Sequence, residues 1–147
     1  MRLYIDLCVF NRPFDYQGQE RVAFETSAFI YILEKLENAE HSLVISEVLV
    51  YENSKNLNEQ RKTRVASYFK MAKELISVDD QIIERAKFLR DLGFSDLDAL
   101  HISSAEKSKA DYFITCDDEI VRAYGRHRSY INVKVASPIE FLGLEVK

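Results

Sequence analysis

Short apolar runs alternate with longer stretches of mixed polarity along this chain. The short runs are the length of buried strands and lie at 2–5, 42–46, 111–115 and 132–137. The longer stretches carry apolar residues at helical spacing and lie at 21–38, 47–52, 59–75, 80–92 and 118–125, and a further one begins at Ser95. Strands that alternate with helices predict an α/β fold, three-layer α/β/α with a central mainly parallel sheet. Residues 11–20 are polar and turn-rich, which predicts a loop.

Composition narrows the class of protein only slightly. The chain has 147 residues with 4 Gly and 2 Pro and shows no repeat or linker, so we expect a single domain over 1–147. No apolar run is long enough to cross a bilayer and no signal peptide is evident, so the expected location is cytoplasmic, with no membrane partner. The net charge of −4 argues against a protein that coats nucleic acid through bulk positive charge.

Two predicted strands are each followed closely by an aspartate. Asp6 ends the first strand, and Asp117 comes two residues after Thr115. In open α/β sheets, functional groups gather at the carboxyl ends of the strands, so these two carboxylates are expected at one edge. Each could instead cap the helix that follows it.

Two further acids could reach the same edge, and each has a neighbouring rival. Asp98 lies in the first turn of a helix that Ser95 opens, and Asp96 lies roughly 200° away around that helix. Asp98 shares its face with apolar residues, so Asp96 is expected to face solvent. Glu52 follows the second strand by six residues, whereas Glu47 stands at the strand-to-helix junction. From the residues alone, either glutamate could simply lie on a solvated helix face.

Several carboxylates at one sheet edge would repel one another unless a cation lay between them. Mg²⁺ and Mn²⁺ prefer oxygen ligands, which is the chemistry that these side chains offer. A cation held in this way can activate water for attack at phosphorus. The two cysteines, Cys8 and Cys116, lack metal-ligand spacing and are expected to be small buried side chains.

Four stretches together resemble a known family: "YIDLCVFNRPF", "ISEVLVYE", "LDALHISSA" and "ADYFITCDDEIV". They make the chain similar to PIN domain proteins, and in particular to VapC-type toxin ribonucleases. The resemblance implies a metal site and catalytic centre at Asp6, Glu52, Asp98 and Asp117. It also implies Mg²⁺ or Mn²⁺ as cofactor, RNA as substrate, an antitoxin protein as partner and a homodimer.

Two residues depart from the pattern of that family. Leu7 stands where a serine or threonine usually follows the first aspartate, which would lower the efficiency of a nuclease. Asp118 replaces a frequent basic residue, so it could add a fifth acid to the site. The main alternative reading is therefore a PIN-fold binding module without catalytic activity.

Other Mg²⁺-dependent or nucleotide-binding α/β proteins fit the sequence less well. A phosphohydrolase with an aspartyl nucleophile would need a second aspartate at the position of Cys8. A dinucleotide-binding domain would need a glycine-rich loop after the first strand.

Basic and aromatic residues suggest surfaces for RNA and for a second copy of the chain. Arg12, Arg122, Arg126 and Arg128 are candidates for phosphate contacts. His101, one turn after Asp98, is interpreted as an ordinary, partly buried histidine. Phe24, Tyr31, Tyr68 and Phe69 exceed what one small core needs, which favours self-association.

Overall fold

A five-stranded sheet forms the centre of the molecule in the computed structural model, which describes residues 1–145. The strands are β1 (Arg2–Ile5), β2 (Ser42–Ser46), β3 (Glu74–Ile76), β4 (Tyr112–Ile114) and β5 (Lys134–Ala136). Their order across the sheet is β3-β2-β1-β4-β5, and all neighbouring pairs are parallel. The predicted α/β fold with a parallel sheet is therefore confirmed.

Eight α-helices occur within the described residues. They are α1 (Leu7–Asn11), α2 (Glu20–Glu37), α3 (Glu47–Ser54), α4 (Glu59–Phe69), α5 (Asp80–Asp91), α6 (Asp96–Lys107), α7 (Asp118–His127) and α8 (Pro138–Glu145). Two short 3₁₀ turns follow α1 and α7, at Arg12–Phe14 and Arg128–Tyr130. None of the described helices is both long and apolar enough to span a bilayer.

Helices cover both faces of the sheet because its central strands are apolar on both sides. Leu3 and Ile5 point to one face, where they join a core that includes Phe10 and Phe29 from α1 and α2. Tyr4 points to the opposite face, where α5, α6 and α7 supply a second core. A parallel sheet buried in this way shows continuous apolar runs rather than alternation, as in the sequence of β1 and β2.

The chain order places the ends of β1 and β4 side by side at the centre of the sheet. The connections from β1 lead to β2 on one side, whereas β4 pairs with β1 on the other. The backbone N–H of Asp6 donates to the carbonyl of Ile114 at 2.9 Å, which ties the two strand ends together. The strand order therefore reverses between β1 and β4. Open α/β sheets bind their ligands at such a topological switch point.

The predicted elements differ from the observed ones mainly around β3. The helix predicted over 59–75 ends at Phe69, and Glu74–Ile76 form an edge strand instead. The loop predicted at 11–20 contains a 3₁₀ turn, and α8 was not predicted. A three-residue edge strand is too short to show a periodicity, and pairing with β2 rather than local propensity creates it.

Candidate metal centre

Asp6 is a buried carboxylate at the end of β1. Its Oδ1 accepts a hydrogen bond from the Leu7 backbone N–H at 2.8 Å, so Asp6 caps α1. Its Oδ2 accepts from the Thr115 hydroxyl at 2.8 Å. Burial raises the pKa of Asp6, and the nearby His101 and the Thr115 hydroxyl oppose that rise. Asp6 can therefore cap α1 and also belong to a functional site, because its two carboxylate oxygens have different partners.

Glu52 reaches the same region from α3. Its Oε1 lies 3.1 Å from Nε2 of His101, and ligand atoms of Asp6, Glu52 and His101 lie within 4.8 Å of one another. Glu47, its rival in the sequence, is directed elsewhere, because its Oε1 accepts from the Val78 backbone N–H at 2.9 Å. The structure therefore brings Glu52, and not Glu47, to Asp6.

A chain of buried hydrogen bonds continues from Glu52 through the core. Nδ1 of His101 lies 2.7 Å from the Tyr4 hydroxyl, which lies 2.5 Å from the Ser46 hydroxyl. The Ser46 oxygen accepts from the Leu49 backbone N–H at 3.1 Å and so caps α3, the helix that carries Glu52. The His101, Tyr4 and Ser46 side chains are almost completely buried. The sequence favours an ordinary, partly buried histidine here, whereas the structure buries His101 almost completely and places it beside a candidate ligand.

Asp98 lies in the first turn of α6, which Ser95 caps through a hydrogen bond of 3.1 Å to the Asp98 backbone N–H. Burial is the largest cause of a rise in the pKa of Asp98 to about 6, and the charges of Asp6 and Asp117 contribute to that rise. Asp96 remains 79% exposed and lies 3.5 Å from Arg90. The facing predicted from helical geometry is observed: Asp98 is directed toward the other acids and Asp96 toward solvent.

Asp117 begins α7 after a short turn from β4. Its Oδ1 accepts from the Glu119 backbone N–H at 2.9 Å, and its own N–H donates to the Thr115 hydroxyl at 3.0 Å. Thr115 therefore contacts both Asp6 and Asp117. Thr115 was not predicted as a functional residue. The sequence feature that could have indicated it is its place at the end of the apolar run of β4, two residues before Asp117.

Asp118 does not add a fifth acid to this cluster. Arg21 donates to both of its carboxylate oxygens at 2.7 and 2.9 Å and also to the carbonyl of Cys116 at 2.8 Å. Hydrogen bonds from Arg21 lower the pKa of Asp118. The fifth acid that the sequence suggested is therefore not observed, because Arg21 holds this carboxylate.

The four predicted phosphate-binding arginines separate into distinct environments. The Arg12 guanidinium donates to Glu25 at 2.8 Å and to Asp15 at 2.9 Å, so internal carboxylates already hold it. Arg128 lies over the Tyr124 ring at 5.2 Å. Arg122 and Arg126 line a cavity together with Asp98. Only these last two lie beside the acidic cluster.

Cys8 and Cys116 meet next to Asp6, as their positions in the sequence suggested. The backbone N–H of Cys116 donates to Sγ of Cys8 at 3.2 Å. The neighbouring Cys116 and burial raise the pKa of Cys8, so its thiol stays protonated near neutral pH. Both cysteines act as small side chains in the wall of the site.

The donor chemistry of the cluster fits a hard divalent cation. Asp6, Glu52, Asp98 and Asp117 all offer carboxylate oxygens, the ligands that Mg²⁺ and Mn²⁺ prefer. Burial is the main reason that the pKa of Asp98 is raised, and the charges of Asp6 and Asp117 add to the rise, which a cation among these carboxylates would offset. His101 is a weaker candidate ligand, because both of its ring nitrogens already have hydrogen-bond partners.

Comparison with known families agrees with this architecture. The PIN domain family matches residues 22–126, which is more than half of the chain. The chain belongs to the PIN domain family. Members of this family are nucleases that generally use divalent cations. The matched range includes Glu52, Asp98 and Asp117, and the structure adds Asp6 from the preceding strand.

Solved structures with the same fold come from VapBC systems. VapBC2 of Rickettsia felis, bound to a promoter DNA fragment, aligns over 93% of this chain and 98% of its own, with 16% identity and a TM-score of 0.57. VapBC-1 of nontypeable Haemophilus influenzae aligns over 94% and 98%, with 14% identity and a TM-score of 0.58. Mycobacterium tuberculosis VapC20, a toxin that cleaves the sarcin-ricin loop, aligns over 82% and 94%, with 12% identity and a TM-score of 0.57. At these identities the likeness shows the fold. No curated protein matches the chain.

Proposed function

We propose that this protein is a Mg²⁺- or Mn²⁺-dependent endoribonuclease with Asp6, Glu52, Asp98 and Asp117 as its metal-binding and catalytic residues. The observation that carries the proposal is the crowding of carboxylates at the strand ends of a PIN domain. Ligand atoms of Asp6 and Glu52 lie within 4.8 Å of each other there, and burial together with the charges of Asp6 and Asp117 raises the pKa of Asp98 to about 6. A divalent cation bound among these carboxylates would offset their charges.

The residues around the cluster prepare the carboxylates for this chemistry. When bound there, a divalent cation would activate water and neutralise charge on a phosphodiester. Thr115 holds Asp6 and the backbone of Asp117 in one arrangement, and His101 holds Glu52. By resemblance to VapC-type nucleases, the products carry a 5′-phosphate and a 3′-hydroxyl.

The biological role that we propose is the toxin of a type II toxin-antitoxin pair, acting in the cytoplasm. Two of the structural neighbours are VapBC complexes, and a third is a toxin that cleaves an RNA loop. These neighbours support an antitoxin partner and an RNA substrate for this chain.

A homodimer is part of the proposal, and α2 is the helix that supports it. Phe24 is 61% exposed and Ile30 is 55% exposed on this helix. Tyr68 and Phe69 do not contribute, because both pack against Phe10 in the core. Of the four aromatic residues that the sequence indicated, Phe24 on α2 is the exposed one, so the support for self-association is smaller than expected.

Cleavage of RNA by the purified protein tests the proposed function. We expect cleavage with Mn²⁺ or Mg²⁺, no cleavage in EDTA, and recovery when Mn²⁺ is added in excess. Asp6→Asn should abolish cleavage while the protein stays folded, because the change keeps the volume and removes a charge that the cation needs. Asp96→Asn, on the solvent side of α6, should cleave like the wild type.

The alternative of an inactive docking module rests on Leu7, which supplies no hydroxyl beside Asp6. Against this argument, the Thr115 hydroxyl lies beside Asp6 and donates to it at 2.8 Å. A wild-type protein that cleaves no RNA with either metal would support the docking module and would overturn the proposed nuclease.

A further inference from the structure

A cavity of about 460 Å³ opens beside the carboxylate cluster, between the start of α6 and one face of α7. Asp98 forms part of its wall, so the cavity and the candidate metal centre are continuous. Glu119, Arg122 and Arg126 of α7 line the same space. Its volume falls within the roughly 300–1,000 Å³ of sites that hold small organic groups.

Arg122 and Arg126 give this cavity an unusual pair of positive charges. They lie four residues apart, on one face of α7, and both are exposed. Within residues 1–145 neither guanidinium forms an ion pair, whereas carboxylates hold those of Arg12, Arg21 and Arg85. The pair is therefore available to an anion from outside the protein.

We propose that this cavity binds the nucleotide next to the cleaved phosphate of an RNA substrate, with its phosphate on Arg122 and Arg126. The inference rests on the proposed ribonuclease function. A polynucleotide carries one phosphate to the carboxylate site and the next onto the guanidinium pair, and guanidinium groups bind phosphate through paired hydrogen bonds. The negative charge of Glu119, one turn before Arg122, disfavours binding of a lone anion in the cavity. A polymer is affected less, because its attachment at the metal centre gives the neighbouring phosphate a high effective concentration at the arginines.

Substitution of both arginines tests the assignment. In a non-cleaving Asp6→Asn background, Arg122→Gln with Arg126→Gln should weaken binding of a labelled single-stranded RNA about tenfold. The slope of log Kd against log salt should fall by about 0.7, since the pair holds one phosphate and each phosphate contact on a single strand contributes about 0.7. With Asp6 restored, the double variant should show a raised KM and a kcat close to that of the wild type.

The matched control removes two positive charges elsewhere. Arg90→Gln with Arg128→Gln should leave the Kd, the salt slope and the KM unchanged, because neither residue lines the cavity. An equal loss in this control, or an unchanged Kd and slope in the Arg122 and Arg126 variant, would overturn the inference while wild-type cleavage upholds the proposed function. Absence of cleavage by the wild type would instead reject the proposed function itself.

A second, independent observation concerns His101. Its Nε2 lies 3.1 Å from a carboxylate oxygen of Glu52, which can only accept, so this nitrogen carries a hydrogen in either protonation state. Its Nδ1 is occupied by the Tyr4 hydroxyl at 2.7 Å. We infer that His101 is a positioning residue for Glu52, held by Tyr4 and Ser46, and is not a metal ligand.

Mn²⁺ binding distinguishes the two roles of His101 without reliance on cleavage. Tyr4→Phe removes the hydroxyl that anchors His101 and should weaken Mn²⁺ binding about tenfold, the lower end of losses seen for residues that orient metal ligands. Tyr112→Phe is the matched control, since the Tyr112 hydroxyl makes no hydrogen bond within the described residues. Electron spin echo spectra of the Mn²⁺ complex should lack coupling to a histidine nitrogen. Such a coupling, or equal affinity in Tyr4→Phe and wild type, would overturn the inference.

Discussion

Thr115 connects two of the candidate metal ligands through a single hydroxyl group. That hydroxyl donates to Asp6 and accepts from the backbone N–H of Asp117, and the residue is fully buried. Leu7, which departs from the family pattern, instead packs in the hydrophobic core. Thr115, the residue that follows β4, thus provides a hydroxyl beside Asp6.

Thr115→Val should lower cleavage about tenfold to a hundredfold and destabilise the protein by about 1–3 kcal/mol. The change leaves the Asp117 N–H without its acceptor and loosens Asp6, with little change in volume. Steady-state cleavage and urea denaturation measure the two effects. Thr26→Val is the control, because the buried Thr26 hydroxyl has no hydrogen-bond partner in residues 1–145. Equal cleavage by Thr115→Val and Thr26→Val would show that the Thr115 contacts do not matter.

Asp98 gives the metal-free protein a pH-dependent stability. Its pKa is about 6 in the folded protein against 3.8 for the ordinary side chain, so the folded state binds the proton more tightly. Ionised Asp98 therefore destabilises the fold above pH 6, and this effect fades as the pH falls toward the ordinary pKa of 3.8.

Asp98→Asn should accordingly stabilise the protein in EDTA above pH 6, by about 1–2 kcal/mol after allowance for partial exposure. The gain should disappear near pH 4. Urea denaturation at both pH values measures it, with Asp96→Asn as a control that changes stability by less than about 0.5 kcal/mol. A gain that stays constant between pH 7 and pH 4 would show that ionisation of Asp98 does not destabilise the fold.

The positions of the acids could be predicted from the sequence, but the side chains that hold them in place could not. Asp6 and Asp117 could be predicted because strand ends in parallel sheets meet at one edge, and Asp98 because helical geometry separates it from Asp96. The bonds from Thr115 to Asp6 and from His101 to Glu52 join residues 109 and 49 positions apart. Such contacts depend on tertiary packing, and no local pattern encodes them.

Among the elements, the helices and central strands were more predictable than the edges. The strands β1, β2 and β4 contain apolar runs that local sequence makes visible, and Ser95 and Asp79 mark the starts of α6 and α5 as helix caps. The edge strand β3 is exposed at Glu74 and Leu75 and has only one buried residue, Ile76. This strand forms because it pairs with β2, and the amphipathic pattern of the sequence does not reveal that pairing.

The cap of α6 supports the site because this helix carries Asp98 and His101. Ser95→Ala removes the acceptor of the Asp98 backbone N–H and should cost about 1 kcal/mol of unfolding free energy, measured by urea denaturation. Ser27→Ala, at an exposed position inside α2, should be neutral or slightly stabilising, because alanine is the better helix former. If the two variants had the same stability, the cap would contribute nothing.

For the whole molecule, the open question is whether α2 joins two copies of the chain. Light scattering at high micromolar concentration should give the mass of a dimer, and Phe24→Glu should shift it to a monomer, because the charge cannot be buried in an apolar interface. Leu57→Glu, at a residue that is 99% exposed and outside α2, should leave the mass unchanged. A wild-type monomer at that concentration would reject the dimer.

The most direct test of the metal centre is anomalous diffraction from crystals grown with Mn²⁺. One strong peak should lie among the carboxylate oxygens of Asp6, Glu52, Asp98 and Asp117, and crystals of Asp6→Asn grown in the same way should lose it. Mn²⁺ bound only at other acids, or no peak within reach of these four side chains, would contradict the proposed site.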